Sequence, residues 1–198
     1  MEVTRTQIES AVGELEKLAQ GAVAASQVPG LAAAVVYKDE VVYLHGFGVR
    51  AAVPDRTGPD LVDADTVFQL ASMSKPLAAT IVAALVSEGV VTWDDRVIDH
   101  DPSFQMYDPW VTHAVTIRDL FSHRSGLPGS AGNDIEEIGY DRAGILARLR
   151  LLAPAGSFRA QHIYSNFGFT EGAVAAARAA GLAWEDAAAA KLYRPLGM

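Results

Sequence analysis

The chain has 198 residues, 50% of them apolar, a formal net charge of −8 and no cysteine. Its length suffices for one substantial core, its acidic balance argues against non-specific nucleic-acid binding, and the missing thiols exclude disulfides, thiolate metal sites and thiol catalysis. No apolar run reaches the ~18 residues that a helical membrane span needs; the longest, Leu77 to Val86, is interrupted by Thr80.

In chain order, Thr4 to Ser26 reads as an amphipathic helix, with Ile8, Val12, Leu15, Leu18 and Val23 on or near one face. Pro29-Gly30 ends it. Leu31 to Tyr37 and Val41 to Phe47 are β-branched, apolar runs separated by Lys38-Asp39-Glu40, a β-hairpin pattern. Residues 51 to 66, rich in Pro, Gly and Asp, predict a loop. From Ser72 onward the pattern is helical, over 73–88, 116–123, 141–152, 168–180 and 183–192. The alanine runs Ala173 to Ala180 and Ala187 to Ala190 suggest close helix packing, and no internal repeat is visible. The start, Met1-Glu2-Val3-Thr4-Arg5, lacks the basic segment and apolar stretch of a signal peptide. A cytoplasmic location is the resulting expectation.

The most informative stretch is Ser72-Met73-Ser74-Lys75-Pro76. Proline is tolerated only in the first turn of a helix, so Pro76 makes a helix begin close to Ser72. The Ser72 hydroxyl then lies at the positive end of that helix. Lys75, three residues on, shares its face. A partly desolvated lysine amine can serve as the base a serine needs to become a nucleophile. Taken alone, the same residues read more readily as a serine cap followed by a solvated lysine.

A second element is Tyr164-Ser165-Asn166, which follows the turn Pro154-Ala155-Gly156-Ser157-Phe158. Tyr164 and Asn166 are expected on a loop entering a helix, where functional groups often sit. A tyrosine beside a lysine can shuttle protons, and an asparagine amide offers both a donor and an acceptor to an amide or ester. The alternative is a core tyrosine and an asparagine cap.

Other features read as structural. Asp99-His100-Asp101 suggests a solvated loop rather than a metal cluster. His123, before Ser125-Gly126-Leu127-Pro128, reads as a histidine that fixes the loop by hydrogen bonds. Gly126 to Gly132 is a flexible loop without the context of a phosphate cradle, and no G-x-S-x-G elbow is present. Tyr107 and Trp110 suit either a cleft wall or partly buried anchors.

Ser72-x-x-Lys75 followed by Tyr164-x-Asn166 resembles the serine β-lactamase and penicillin-binding superfamily. The likeness is greatest to the branch with class C β-lactamases, D-alanyl-D-alanine carboxypeptidases and related esterases. Thr116 to Pro128, Gly89-Val90-Val91-Thr92-Trp93-Asp94-Asp95 and Pro195-Leu196-Gly197-Met198 are similar to further segments of that family. The likeness runs from about Gly30 to the end.

The resemblance implies an α+β fold of the β-lactamase/transpeptidase type: an N-terminal helix and hairpin (1–50) plus a mostly helical part (51–198), within one incomplete domain lacking its C-terminal sheet strands. It implies acyl transfer on a small amide or ester substrate. Ser72 is then the nucleophile, Lys75 takes part as base, Tyr164 moves the proton, and Asn166 binds the substrate's acyl-side amide; either Lys75 or Tyr164 can be the acylation base. No metal or organic cofactor is implied. The family's third motif, Lys-Thr-Gly or His-x-Gly on a later strand, does not follow Asn166 here. That strand would supply one oxyanion-hole donor, worth ~10²–10³ in rate. The expectation is therefore an N-terminal portion that self-associates or is completed by a C-terminal polypeptide. The alternative function is a non-catalytic ligand-binding or interaction module of the same fold.

Overall fold

The structure is a computed structural model and describes residues 3–51 and 60–198. It divides into two compact units, Met1–Gln69 and Leu70–Met198.

In the first unit, helix α1 (Arg5–Ala25) starts at a reciprocal cap between Thr4 and Gln7. The Thr4 hydroxyl accepts the Gln7 N–H, and the Gln7 side chain accepts the Thr4 N–H, so two otherwise orphan donors are satisfied. Ile8, Val12, Leu15 and Val23 are half-buried and Ala19 is buried. Leu18, expected on this face, is 69% exposed. The steps from Ile8 to Val12, Leu15 and Ala19 keep to one helical stripe, whereas Leu18 lies a full residue rotation off it.

Strands β1 (Gly30–Tyr37) and β2 (Glu40–Gly48) pair antiparallel, and they form the only sheet among the described residues. Their two-residue turn places Lys38 and Asp39 at φ of 49° and 64°, the double left-handed geometry that matches strand twist in tight hairpins. Helix α1 packs against both strands. The hairpin alternates: Ala33, Val35 and Tyr37 are half-buried, while Ala32, Ala34, Val36, Val41 and Leu44 are exposed. The expected loop at 51–66 lies in part outside the described residues. Its end, 60–66, is irregular apart from a bridge between Val49 and Leu61.

The second unit is helical. A 3₁₀ turn (Ala71–Met73) leads into α2 (Ser74–Ser87), followed by α3 (Val97–His100), α4 (Pro109–Ala114), α5 (Ile117–Phe121), α6 (Asn133–Glu137) and α7 (Arg142–Leu146). Helix α8 (Asn166–Ala179) comes next. Then α9 (Trp184–Ala188) continues through a π-helical turn (Ala189–Tyr193) into α10 (Arg194–Leu196).

The predicted helix over 141–152 divides into α7 and a 3₁₀ turn, Leu149–Leu151. The tighter turn keeps Leu149 in the same core as Ile145 and Leu146. Helices α3, α4 and α6 were not expected; each is too short to show a hydrophobic period.

Helix α8 is the centre of this unit. It packs against α2, α3, α5, α7 and α9, and its side chains from Ala173 to Ala177 are buried. Alanine lets neighbours approach closely, and Gly172 does so further: a Cβ there would lie 3.0 Å from the Phe121 ring. Val97, Leu120, Ile145 and Leu149 fill the space on one side, and Val82, Leu85 and Ile117 on the other. Each such side chain stabilises the fold by ~1.5–3 kcal/mol relative to exposure.

One residue of α8 breaks the apolar pattern. Glu171 is 1% exposed, and neither of its carboxyl oxygens receives a hydrogen bond. Burial and the neighbouring Asp101 carboxylate push it up to about 9, which favours the neutral acid. Burial alone would raise Asp101 too, but Ser103 and Arg178 hold it below the usual carboxylate range. Asp101 accepts the Ser103 hydroxyl and N–H and pairs with Arg178. The segment Asp99-His100-Asp101 is therefore not a solvated loop. It ends α3, with Asp99 on Arg96, His100 on Asp95 and Asp101 inside.

Candidate active site

Ser72 lies in the 3₁₀ turn just before α2, and Lys75 and Pro76 lie in the first turn of α2. Proline's missing N–H is harmless there, which is why the helix starts where it does. Ala71, immediately before Ser72, has φ of 45°. A left-handed backbone at a residue with a Cβ costs ~1–3 kcal/mol and persists only where the surroundings enforce it.

Tyr164 is delivered by a different route. The segment before it is tied to the segment after α5 by main-chain bonds: Ala155 to Gly126 (3.0 Å), Arg159 to Arg124 (2.8 Å) and Ile163 to His123 (2.8 Å). Arg159 also forks onto Asp119 at 2.9 and 2.7 Å. Burial alone would raise Asp119, but Arg159 and the Thr116 cap outweigh it and hold the carboxyl below its usual range. A two-toothed guanidinium contact of this kind fixes direction as well as distance.

His123 sits beneath Tyr164. Its Nδ1 accepts the Ser165 N–H at 3.1 Å, and its ring lies 4.6 Å from the Tyr164 ring. Burial lowers its pKa, assisted by His162 and Lys75. The histidine thus has the loop-fixing hydrogen bonds that its sequence position suggested.

Helix α8 begins at Asn166, earlier than the predicted 168, because Ser165 caps it by accepting the Gly168 N–H. Asn166 is thus a helical residue and not a loop residue.

These elements bring the four predicted side chains together. Ser72 Oγ and Tyr164 Oη share a hydrogen bond of 2.6 Å. Lys75 Nζ donates to Ser72 Oγ at 3.3 Å and to Asn166 Oδ1 at 2.8 Å. The same Nζ lies 4.6 Å from the centre of the Tyr164 ring and 5.7 Å from that of Phe169. Hydrogen bonding by Lys75, and then by Ser72, pulls the Tyr164 hydroxyl below the usual phenol range, against a smaller opposing effect of burial. The arrangement has the connectivity that proton transfer needs: a hydroxyl in contact with a phenol of lowered pKa, with a lysine beside both.

Two neighbours were missed in the sequence. Asn133 accepts the Asn166 amide at 3.4 Å, and Phe169 walls the lysine. Asn133 follows Gly132, whose φ of 87° would strain any other residue and whose added Cβ would meet Ile145 and Phe167 at 2.6 and 2.7 Å. That glycine was the available signal. Tyr107 and Trp110 line a separate cavity of about 270 Å³, where Trp110 meets the edge of Phe158. The cavity that holds Ser72, Lys75 and Asn166 is about 500 Å³.

The sequence profile of the family described as Beta-lactamase matches residues 15–198. The chain belongs to the Beta-lactamase family. Penicillin-binding protein 4* of Bacillus subtilis (strain 168) is 30% identical to it over 166 residues, covering 80% of this chain and 34% of the relative. Unguisins hydrolase ungD' of Aspergillus campestris (strain IBT 28561) is 27% identical and covers 86% of this chain and 32% of its own length. A crystal structure of a class C β-lactamase superposes with a TM-score of 0.79 at 26% identity, over 96% of this chain and 50% of that one.

This Beta-lactamase family chain therefore spans about a third of those curated relatives and half of the solved neighbour. Its fold is of the β-lactamase/transpeptidase type, and its family is one of serine hydrolases. Among the described residues, no helix is long and apolar enough to cross a membrane.

Proposed function

We propose that this chain is the nucleophile-bearing portion of a serine hydrolase that cleaves small amides or esters through an acyl-Ser72 intermediate. The observation that supports it most is the 2.6 Å contact between Ser72 Oγ and Tyr164 Oη, with Lys75 donating to the same serine.

In this reading Tyr164, as phenolate, takes the Ser72 proton while Oγ attacks the substrate carbonyl. The Ser72 N–H, in the 3₁₀ turn just before α2, donates to the developing oxyanion. Tyr164 then passes its proton to the leaving nitrogen or oxygen, and the ester to Ser72 remains. Water, deprotonated by Tyr164, attacks that ester and releases the acid. Lys75 stabilises the phenolate by hydrogen bonding and charge. Asn166, with its Oδ1 on Lys75 and its Nδ2 on a long bond to Asn133, has an amide N–H to offer the substrate's acyl side.

Intact mass after treatment with a fluorophosphonate probe tests the reading. A single adduct, mapping to the peptide that contains Ser72, is expected. A folded chain that takes no adduct would overturn it in favour of a binding module.

Tyr164→Phe adds a mechanistic check. General base catalysis is worth ~10²–10⁴ in rate, so acylation should slow by ~10²-fold or more. The wild-type rate should rise with pH until Tyr164 is ionised, at a pH below an ordinary phenol's. A Phe variant that kept both rate and pH profile would remove Tyr164 from the mechanism.

A further inference from the structure

The cavity at Ser72 has a lining of mixed chemistry. The reacting groups Ser72, Lys75 and Asn166 share its lining with Glu136, Trp184 and Tyr193. Glu136 belongs to α6, the short helix that Gly132 starts. Among the described residues its carboxylate has no ion pair and no side-chain hydrogen bond, whereas Glu185, on α9, is paired with Arg142. Lys75, in the same lining, directs its hydrogen bonds to Asn166 and Ser72 and forms no ion pair with Glu136. The cavity therefore combines a carboxylate that is exposed and free of ion pairs with two aromatic side chains.

We propose that Glu136 is a specificity-determining residue that makes this cavity prefer substrates with a cationic, ammonium-type group set apart from the scissile carbonyl. An ammonium there gains the carboxylate's field, and aromatic rings such as those of Trp184 and Tyr193 attract cations. Lys75 lies beside Ser72 and repels an ammonium from the scissile carbonyl, and Glu136, which forms no ion pair with Lys75, attracts one elsewhere in the cavity. A carboxylate-bearing substrate meets the reverse field. The net charge of −8 adds long-range attraction of the same sign. The inference rests on the acyl-transfer reading for its catalytic meaning, but the binding preference stands on the cavity alone.

The test uses the full chain and two isosteric substrates, 4-nitrophenyl 4-(trimethylammonio)butanoate and its carbon analogue 4-nitrophenyl 5,5-dimethylhexanoate. The readout is the ratio of kcat/KM for the cationic to the neutral ester. Wild type should favour the cation. Glu136→Gln should lower the ratio about fivefold or more, Glu136→Lys should lower it further, and added salt should weaken the wild-type preference. A ratio that Glu136→Gln leaves unchanged overturns the proposal.

If neither ester turns over, the hydrolase reading fails separately, and ligand-observed NMR with choline and 3,3-dimethylbutan-1-ol decides the cation site. Choline contact that exceeds the alcohol's in wild type and disappears in Glu136→Gln supports it. Equal contact with both overturns it.

Discussion

Lys75→Met should slow acylation at Ser72 by at least ~10³-fold while leaving the fold intact. The side chain that replaces it is of similar length and apolar, so α2 keeps its shape and the Phe169 wall keeps a neighbour. What disappears is the charge. Three contacts depend on it: the donation to Ser72, the donation to Asn166, and the cation beside the Tyr164 ring. Tyr164 loses the largest cause of its acidity, so the phenolate fraction falls at neutral pH. Asn166 loses the partner that orients its amide. Because one residue serves all three, the loss should exceed that of Tyr164→Phe measured by the same ester assay. A variant within tenfold of wild type would show that the lysine is a bystander.

Replacing Glu171 by glutamine should flatten the loss of stability at alkaline pH. In the folded chain the carboxyl is raised to about 9, and in the unfolded chain it titrates near its ordinary value. The unfolded state therefore binds fewer protons across the window between the two, and stability falls as pH rises through it. The slope approaches ~1.4 kcal/mol per pH unit for one proton. Asp101 is shifted the opposite way, so its contribution is lost only in acid, below the unfolded carboxylate range. His123, being lowered, affects the range below ordinary histidine values. Between pH 7 and 9 Glu171 stands apart from both. Tyr164, being lowered, acts with the opposite sign but equally in both proteins, so wild type should lose ~2–3 kcal/mol more than Glu171→Gln over that span in urea unfolding. Parallel curves for the two proteins would mean that the buried acid does not titrate as proposed.

The two halves of the site differ in how far the sequence reveals them. The Ser72–Lys75 pair is local: Pro76 sets the helix start, and a spacing of three does the rest. Tyr164 and Asn166 stand about ninety residues away, and their chemistry was legible only as a pair of residue types. What brings them to Ser72 is the Asp119–Arg159 fork and the main-chain ties at His123 and Arg124, which depend on long-range geometry. The hairpin was readable from its β-branched runs, although its turn uses Lys38-Asp39 where Asn-Gly is the stronger signal. Glu171 was illegible because a glutamate in an alanine-rich helix reads as a solvent-facing residue; its burial is imposed by α3 and Asp101. Glu136 was hidden in a helix of five residues.

The acidified phenol has a use beyond chemistry. A tyrosinate absorbs ultraviolet light at longer wavelength than a tyrosine, so the ring that would handle the proton is also a built-in chromophore. Tyr164 is pulled towards early ionisation while Tyr43 is pushed towards late ionisation. A spectrophotometric titration therefore gives an assembly gauge without any label or substrate. The early step is visible only while Lys75, Ser72 and the Tyr164 segment are held together, so it would vanish as that arrangement comes apart.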